Sequence, residues 1–444
     1  MIYNDIASIF FKTIELGKNI FNKTNIPFSY KKNISKKTRY MLKQISNITK
    51  DSESIDQKIF SLYLLFIKEF LENRMHTSKL HCDFMMDLSS YIIRQRLNLL
   101  DNSNEKEILL KAFFNVREHL INHEYFYRVV GSTGLYRIAL LLRDDYLHNT
   151  MRNVNLSKRS AGDLFTLFLG SMDLGDFDLA EQIITSIKSR PFKLLPIRDM
   201  ELYYNLINGN RSEVSRLVKR KYSKKDREFF DYVHNKSIAI VGPAQSNDML
   251  KDEIDSYDIV IRLNYRGGNK MPPEIEFGSK VNISYYNSVF SADISNYENM
   301  DFFKNLDYII FKDIKHHYQK IIIRKYQHVR KWISFNLFVF GGKINMIQNV
   351  ILDLLAFEPS KIKIFKANLY LTENNYYSGY QISNYNNDQY YNWLQHWYTH
   401  DIVTHFNLTK TLWKNSLIEV DNCLEDVLEL NCEDYISKMD IIYS

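Results

Sequence analysis

The chain has 444 residues, 45% of them hydrophobic and 25% charged, enough for two or three domains with a sizeable core and unlike a chain too polar to fold. A net charge of +6 and a pI near 8.8 are a mild basic excess, which suits anionic partners such as a nucleotide or lipid head groups and is too small to argue nucleic-acid binding. The three cysteines, Cys82, Cys423 and Cys432, have no paired spacing, so neither a disulfide framework nor a zinc site is indicated and a reducing compartment fits.

The opening MIYNDIASIFFKTIELGKNIF has no basic segment followed by a long apolar stretch, and the densest apolar run, LYLLFI at 62–67, stops at Lys68. No signal peptide or membrane span is expected, and the expected location is the cytoplasm. Only Pro27 precedes Pro191, and apolar residues recur at helical spacing, so residues 1–232 read as an all-α domain. Leu164, Phe165, Phe168 and Met172 form one stripe, and Leu179, Ala180, Ile183, Ile184 and Ile187 form a second after DLGDFD, which predicts a helical hairpin. The turn at Gly175 has an echo at Gly209, 34 residues on, the period of tetratricopeptide-type repeats; an irregular helical bundle is the other reading. Residues 211–227 hold eight Lys or Arg in 17 positions and read as a boundary segment. They form either a solvated helix end or a patch for peripheral contact with an anionic membrane face.

After residue 232 short β-rich runs alternate with helices: SIAIVG, DIVIRLN, VNISYYN, DYIIFKD, LFVFGG and KIKIFKANLYL. Apolar strands separated by helices predict a parallel sheet covered on both faces, so residues 233–444 are expected to form an α/β Rossmann-like domain.

In such sheets ligands bind beyond the carboxyl ends of the strands. After the first run come Gly242, Pro243, Gln245, Ser246 and Asn247, a glycine turn expected to lead into a helix start with free N–H groups for a phosphate. After the second come Arg262 and Asn264, a cationic fork and an amide; after the third, Asn287 and Ser288; after LFVF, Gly341 and Gly342. Each alone also fits an ordinary strand end. Further on, HWYTHDIVTHF carries His396, His400 and His405 with no carboxylate or cysteine to complete a metal spacing, so no metal is expected. Asp401 can cap the following helix and hold His400 at a cleft as a base, although a plain surface loop is the simpler alternative. Residues 373–393, ENNYYSGYQISNYNNDQYYNW, suit either a lid or sugar-stacking platform or a low-complexity insertion.

Together these segments resemble the sialyltransferases and, more broadly, bacterial transferases that use CMP-activated keto sugars. IVGPAQSNDMLKDEIDSYDIVIRLN looks like the large sialylmotif through Gly242, Ile254, Asp255, Asp258, Arg262 and Asn264. FGGKINMIQNVILDLLAFEPSKIKIF is similar to the small sialylmotif at Gly342, and HDIVTHFNLTKTLWKNSLIEV to the last short motif at His400, the family's base, with Asp401 after it. Pro243 replaces the family's usual asparagine, His405 stands where a glutamate is usual, and HWYT at 396–399 only echoes the aromatic motif. The matched segments span about residues 237–421.

The resemblance implies a glycosyltransferase that moves a sialic-acid-like or Kdo-like keto sugar from its CMP donor to a glycan or lipid-linked oligosaccharide acceptor in surface polysaccharide synthesis, without a metal cofactor. Gly242, Asn264 and Gly342 would hold the donor, with amides of Gly242 and Gly342 offsetting the phosphate charge and His400 as base. In a retaining version Asp293 or Asp313 would be the nucleophile. The alternatives are a transferase using another nucleotide sugar and a non-catalytic helical-repeat scaffold with a degenerate sheet domain.

Overall fold

The computed structural model describes residues 84, 87, 88, 91, 104–117, 124–152, 155–190, 196–220, 222–267, 271–287, 301–314, 317–372, 376, 377, 380, 397 and 400–443. The chain divides into two compact units, Met1–Asn149 with Tyr390–Thr399 and Ile436–Ser444, and Thr150–Gln389 with His400–Tyr435.

In the first unit the described elements include α1 (Asn104–Phe114), α2 (Glu124–Gly131) and α3 (Tyr136–Met151). Trp397 is fully buried there, stacked on Tyr136 at 5.6 Å. It lies so close to Gly131 that an added Cβ would meet Trp397 Cε3 at 2.3 Å, so only glycine fits at the end of α2. Arg117 clamps Asp145 with two hydrogen bonds of 2.7 and 2.8 Å.

The second unit begins with helical hairpins: α4 (Ala161–Leu174) with α5 (Phe177–Lys188), then α6 (Ile197–Ile207) with α7 (Arg211–Lys219), followed by α8 (Lys224–Val233). Of the two stripes, Leu164, Phe168 and Met172 and Ala180, Ile183, Ile184 and Ile187 are buried as their spacing predicts, while Phe165 and Leu179 are half-buried. The two hairpin turns are built alike. Gly175 and Gly209 both take left-handed backbone, at φ 71° and 67°, and the next residue caps the following helix, Asp176 accepting from Leu179 N and Asn210 from Glu213 N. The basic stretch 211–227 runs through α7 and α8, and four of its eight cations are engaged: Arg216 with Glu213, Lys219 with Glu358, Lys224 with Glu228, and Lys225 on the Val329 carbonyl.

The sheet has seven strands: β1 (Ser237–Val241), β2 (Ile259–Leu263), β3 (Ile283–Tyr286), β4 (Tyr308–Phe311), β5 (Val329–Lys331), β6 (Lys361–Phe365) and β7 (Glu419–Val420). The order is β5-β4-β3-β2-β1-β6-β7, and every pair is parallel. This is an α/β, Rossmann-like sheet, and β2, β3 and β4 are buried along their whole length, as strands covered on both faces must be. The chain builds outward from β1 to β5, then returns to place β6 on the other side of β1, so the topological switch point lies between the ends of β1 and β6.

One expected strand is not there. Leu337–Phe340 forms turns and bends, with Phe338 packed against Tyr203 at 5.4 Å; Phe338, Val339 and Phe340 are buried without a strand, while Leu337 is exposed. The fifth place belongs to Val329–Lys331, whose sequence VRK hides its strand character because Arg330 is buried by pairing rather than by apolarity. Its guanidinium makes bonds of 2.7 and 3.2 Å to Asp353 on α12 (Met346–Leu355) and stacks between Phe229 and Phe357. Tyr285 Oη and Ile333 N also donate to Asp353, each at 2.7 Å. Burial opposes the Arg330 charge, but Asp353 outweighs it and holds the guanidinium above its ordinary value. The network ties α12 to β3 and β5, and Gln348, donating to Thr409, ties it to α13 (Ile402–Lys414).

Candidate functional site

Gly242 ends β1 at the switch point. Its N–H donates to Phe365 O at 2.8 Å, and an added Cβ would lie 2.4 Å from Lys366 O, so glycine is needed for the close pass of the β1 and β6 ends. That amide is spent within the sheet and corrects the expectation that it contacts a phosphate. The expected helix start also lies further on: residues 242–250 are coil, and α9 (Lys251–Asp255) is a single short turn. Pro243 O accepts the N–H of Tyr377 at 2.9 Å, while Gln245 and Asn247 are exposed. Ser246 faces a residue that the strand-end reading passed over, Lys366. This lysine has left-handed backbone at φ 54°, is 1% exposed, and donates from Nζ to Ser246 O, Ser246 Oγ and Asp248 O at 3.1, 2.7 and 2.8 Å. Burial pulls the ammonium below its ordinary value, opposed by the charges of Asp248, Glu276 and Asp421.

At the end of β2, Arg262 is buried and gives its guanidinium to the carbonyls of Lys280, Phe277 and Gly278. It closes the turn after α10 (Glu274–Phe277) through Nε and Nη2. Asn264 takes left-handed backbone at φ 53°, a conformation asparagine tolerates better than most. Its Oδ1 accepts Asn287 N at 3.2 Å, and its Nδ2 donates to Tyr380 Oη at 2.9 Å and lies 3.6 Å from Met346 Sδ. Ser288, His396 and Asp293 lie outside the described residues. Tyr380 O accepts from Arg266 at 2.6 Å, and Tyr377 packs edge-on to Phe277. Burial pushes the Tyr377 hydroxyl up to about 12, Arg262 opposing it. Residues 377 and 380 therefore strap the β1 and β2 ends, leaving about 10 Å³ between Gly242, Arg262, Phe277 and the tyrosines, room for a single water.

The third group brings Gly342 and His400 together, two positions 58 residues apart that the sequence assigned to one site. They form an antiparallel β-bridge, with Gly342 at φ 74° and Gly341 buried beside it. His400 Nδ1 donates to Lys343 O at 2.7 Å; the carbonyl can only accept, so the neutral ring carries its lone pair on Nε2. His405, one turn into α13, accepts Asn345 N at 3.0 Å through its own Nε2. The rings of His400 and His405 lie 5.5 Å apart, and the two histidines grip the turn 343–345. Asp401 is buried and caps α13 through Thr404 N at 3.1 Å, while Asn345 caps α12 and holds Tyr370 Oη. Because Met346 touches Asn264, the starts of α12 and α13 converge on the end of β2.

Lys366 and the acceptor role of His405 were missed by sequence reasoning. The signal for Lys366 was a lysine directly after an apolar strand. That for His405 was its spacing from His400, which periodicity alone assigns only to a helix. Of the retaining-mechanism candidates, Asp313 is described, and its carbonyl accepts from Gln319. Among the described residues no group of three or more His, Cys, Asp or Glu could hold a metal ion, and no helix is long and apolar enough to cross a membrane. No family model and no curated protein matches the chain.

Proposed function

We propose that the sheet unit is a glycosyltransferase that moves a sialic-acid-like or Kdo-like keto sugar from a CMP donor to a glycan or lipid-linked acceptor. The observation that carries this reading is the bridge between Gly342 and His400 with His400 Nδ1 on Lys343 O, which fixes the imidazole's orientation and leaves the lone pair of the neutral ring on Nε2. In the inverting form, His400 Nε2 takes the proton of the acceptor hydroxyl while that oxygen bonds to the anomeric carbon. The bond from that carbon to the phosphate oxygen breaks, and CMP leaves with the electron pair. The donor's nucleotide lies over the β1 and β2 ends in this reading, so Tyr377 and Tyr380 move aside when it binds. The cytoplasmic face of a membrane suits such an enzyme, with the exposed cations of α7 and α8 as the contact.

A thermal-shift comparison tests it. CMP raises the melting temperature of the full chain, and UDP and NAD do not; a shift by UDP alone would move the reading to another nucleotide sugar. One observation favours a second reading, a non-catalytic scaffold: backbone carbonyls hold Arg262 Nε and Nη2, and Tyr380 and Asn287 hold Asn264. That reading gains if CMP, CDP and CTP all leave the melting temperature unchanged.

A further inference from the structure

Lys366 is a costly way to brace a loop. Its ammonium is buried, its backbone is left-handed, and its three hydrogen-bond acceptors are two carbonyls and a hydroxyl, with no carboxylate in contact. An apolar side chain would fill the same space without desolvating a charge. The Phe277 ring, 4.8 Å away, adds a cation–π contact, and the Asp421 carboxylate is turned to the backbone N–H of Lys366 instead of its ammonium.

The ammonium also sets the direction of the loop's other groups. It draws in the carbonyls of Ser246 and Asp248, and no peptide bond among the described residues is cis. In a planar trans peptide the N–H of the next residue points opposite to the carbonyl. The N–H groups of Asn247 and Met249 therefore point away from Lys366, and both residues are exposed. Among the described residues neither amide has a protein acceptor. Two outward amides on one loop, backed by a buried cation at the topological switch point, have the make-up of an anion-binding concavity. The Asp248 carboxylate, the loop's own negative group, is tied to Ser246 Oγ at 2.9 Å.

We propose that Lys366 organises the loop after β1 into a phosphate site, in which the amides of Asn247 and Met249 bind the phosphate oxygens and the ammonium behind them supplies the charge. Assigning that phosphate to a CMP donor rests on the proposed transfer reaction; the anion site itself does not. In that reaction Lys366 is the group that offsets the charge on departing CMP.

The test uses the full chain labelled with ¹⁵N-methionine, the Met249 amide being assigned by its loss in Met249→Leu. Inorganic phosphate and CMP shift the Met249 amide, and cytidine does not. Lys366→Met, checked for folding by circular dichroism, weakens both phosphate-bearing ligands by roughly 10- to 100-fold, the size expected for losing a charge-assisted contact, and Lys366→Arg recovers part of the loss. Unchanged CMP and phosphate affinity in Lys366→Met, or a Met249 amide that stays still while CMP binds, overturns the site. If inorganic phosphate moves Met249 but CMP does not bind, the anion site stands and the CMP reading falls. If neither ligand binds, the anion site is overturned. Should Lys366→Met fail to fold, the Met249 amide of the unaltered protein decides alone.

Discussion

His400 Nδ1 lies 2.7 Å from the carbonyl oxygen of Lys343, and the backbones of His400 and Gly342 pair beside that bond. One proton is thereby fixed on Nδ1, and the ring is oriented by a turn that His405 holds from the next helical turn. An imidazole set this way needs no carboxylate partner to choose its tautomer.

His400→Ala therefore keeps the stabilisation by CMP and loses transfer, by roughly 100- to 10,000-fold for loss of a general base. The check is product formation from a panel of CMP-sugars with extracted glycans, run beside a thermal-shift titration. Activity retained in the variant would remove His400 from the mechanism.

Gly242→Ala separates a structural glycine from a ligand-binding one. The new Cβ would sit 2.4 Å from Lys366 O, a backbone atom that cannot swing aside, so β1 and β6 must part. Overpacking of this kind costs about 1–3 kcal/mol, and denaturant melts without ligand should show it. A fully stable variant with impaired CMP binding would return Gly242 to the ligand.

Much of this was legible in the sequence. β1 to β4 and β6 announce themselves as apolar runs, whereas the bridge between Gly342 and His400, 58 residues apart, is a feature of the fold alone. What stayed hidden depends on contacts far apart in the chain. β5 reads as charged because the partner that neutralises Arg330 lies 23 residues away, and Lys366 reads as a surface lysine until the loop after β1, 120 residues earlier, folds over it. The structural role of Arg262 stayed hidden for the same reason: its three carbonyl partners, Phe277, Gly278 and Lys280, follow 15 to 18 residues later, in the turn after a short helix.

Acid should loosen the loop after α10. Asp255 accepts Ser279 N at 3.0 Å and Lys280 N at 2.9 Å, with Lys251 alongside at 3.2 Å. Burial works against its charge, but those hydrogen bonds win and hold its carboxyl below the ordinary 3.8. Its folded-state value is depressed, so its contribution to stability is full above pH 3.8 and is lost as the pH falls through the lower folded value. Asp255→Asn should be less stable than the parent near neutral pH, and the gap should shrink below pH 4 or so as the parent's own carboxyl protonates. Urea midpoints measured across that range decide it; a gap that stays constant with pH would show that the Asp255 charge contributes nothing.

Breaking the Arg330–Asp353 pair should be the most damaging single change in the sheet unit. Both side chains are buried, at 2% and 0% exposure, and Asp353 also receives Tyr285 Oη and Ile333 N. Asp353→Ala leaves a guanidinium with no carboxylate at that position, and only the half-buried Asp226, 3.2 Å from Arg330 Nε, remains to balance it. Losses of about 3–5 kcal/mol are typical when one member of a buried pair is removed. The double variant Arg330→Met with Asp353→Leu removes the charge along with its partner, and should recover most of that loss. If the double variant is as unstable as Asp353→Ala, the cost lies in the packing around Phe229 and Phe357 instead of the stranded charge. Because α12 carries the turn gripped by His400 and His405, both variants should also be assayed for CMP stabilisation. The double variant should keep it if the pair only holds the helix in place.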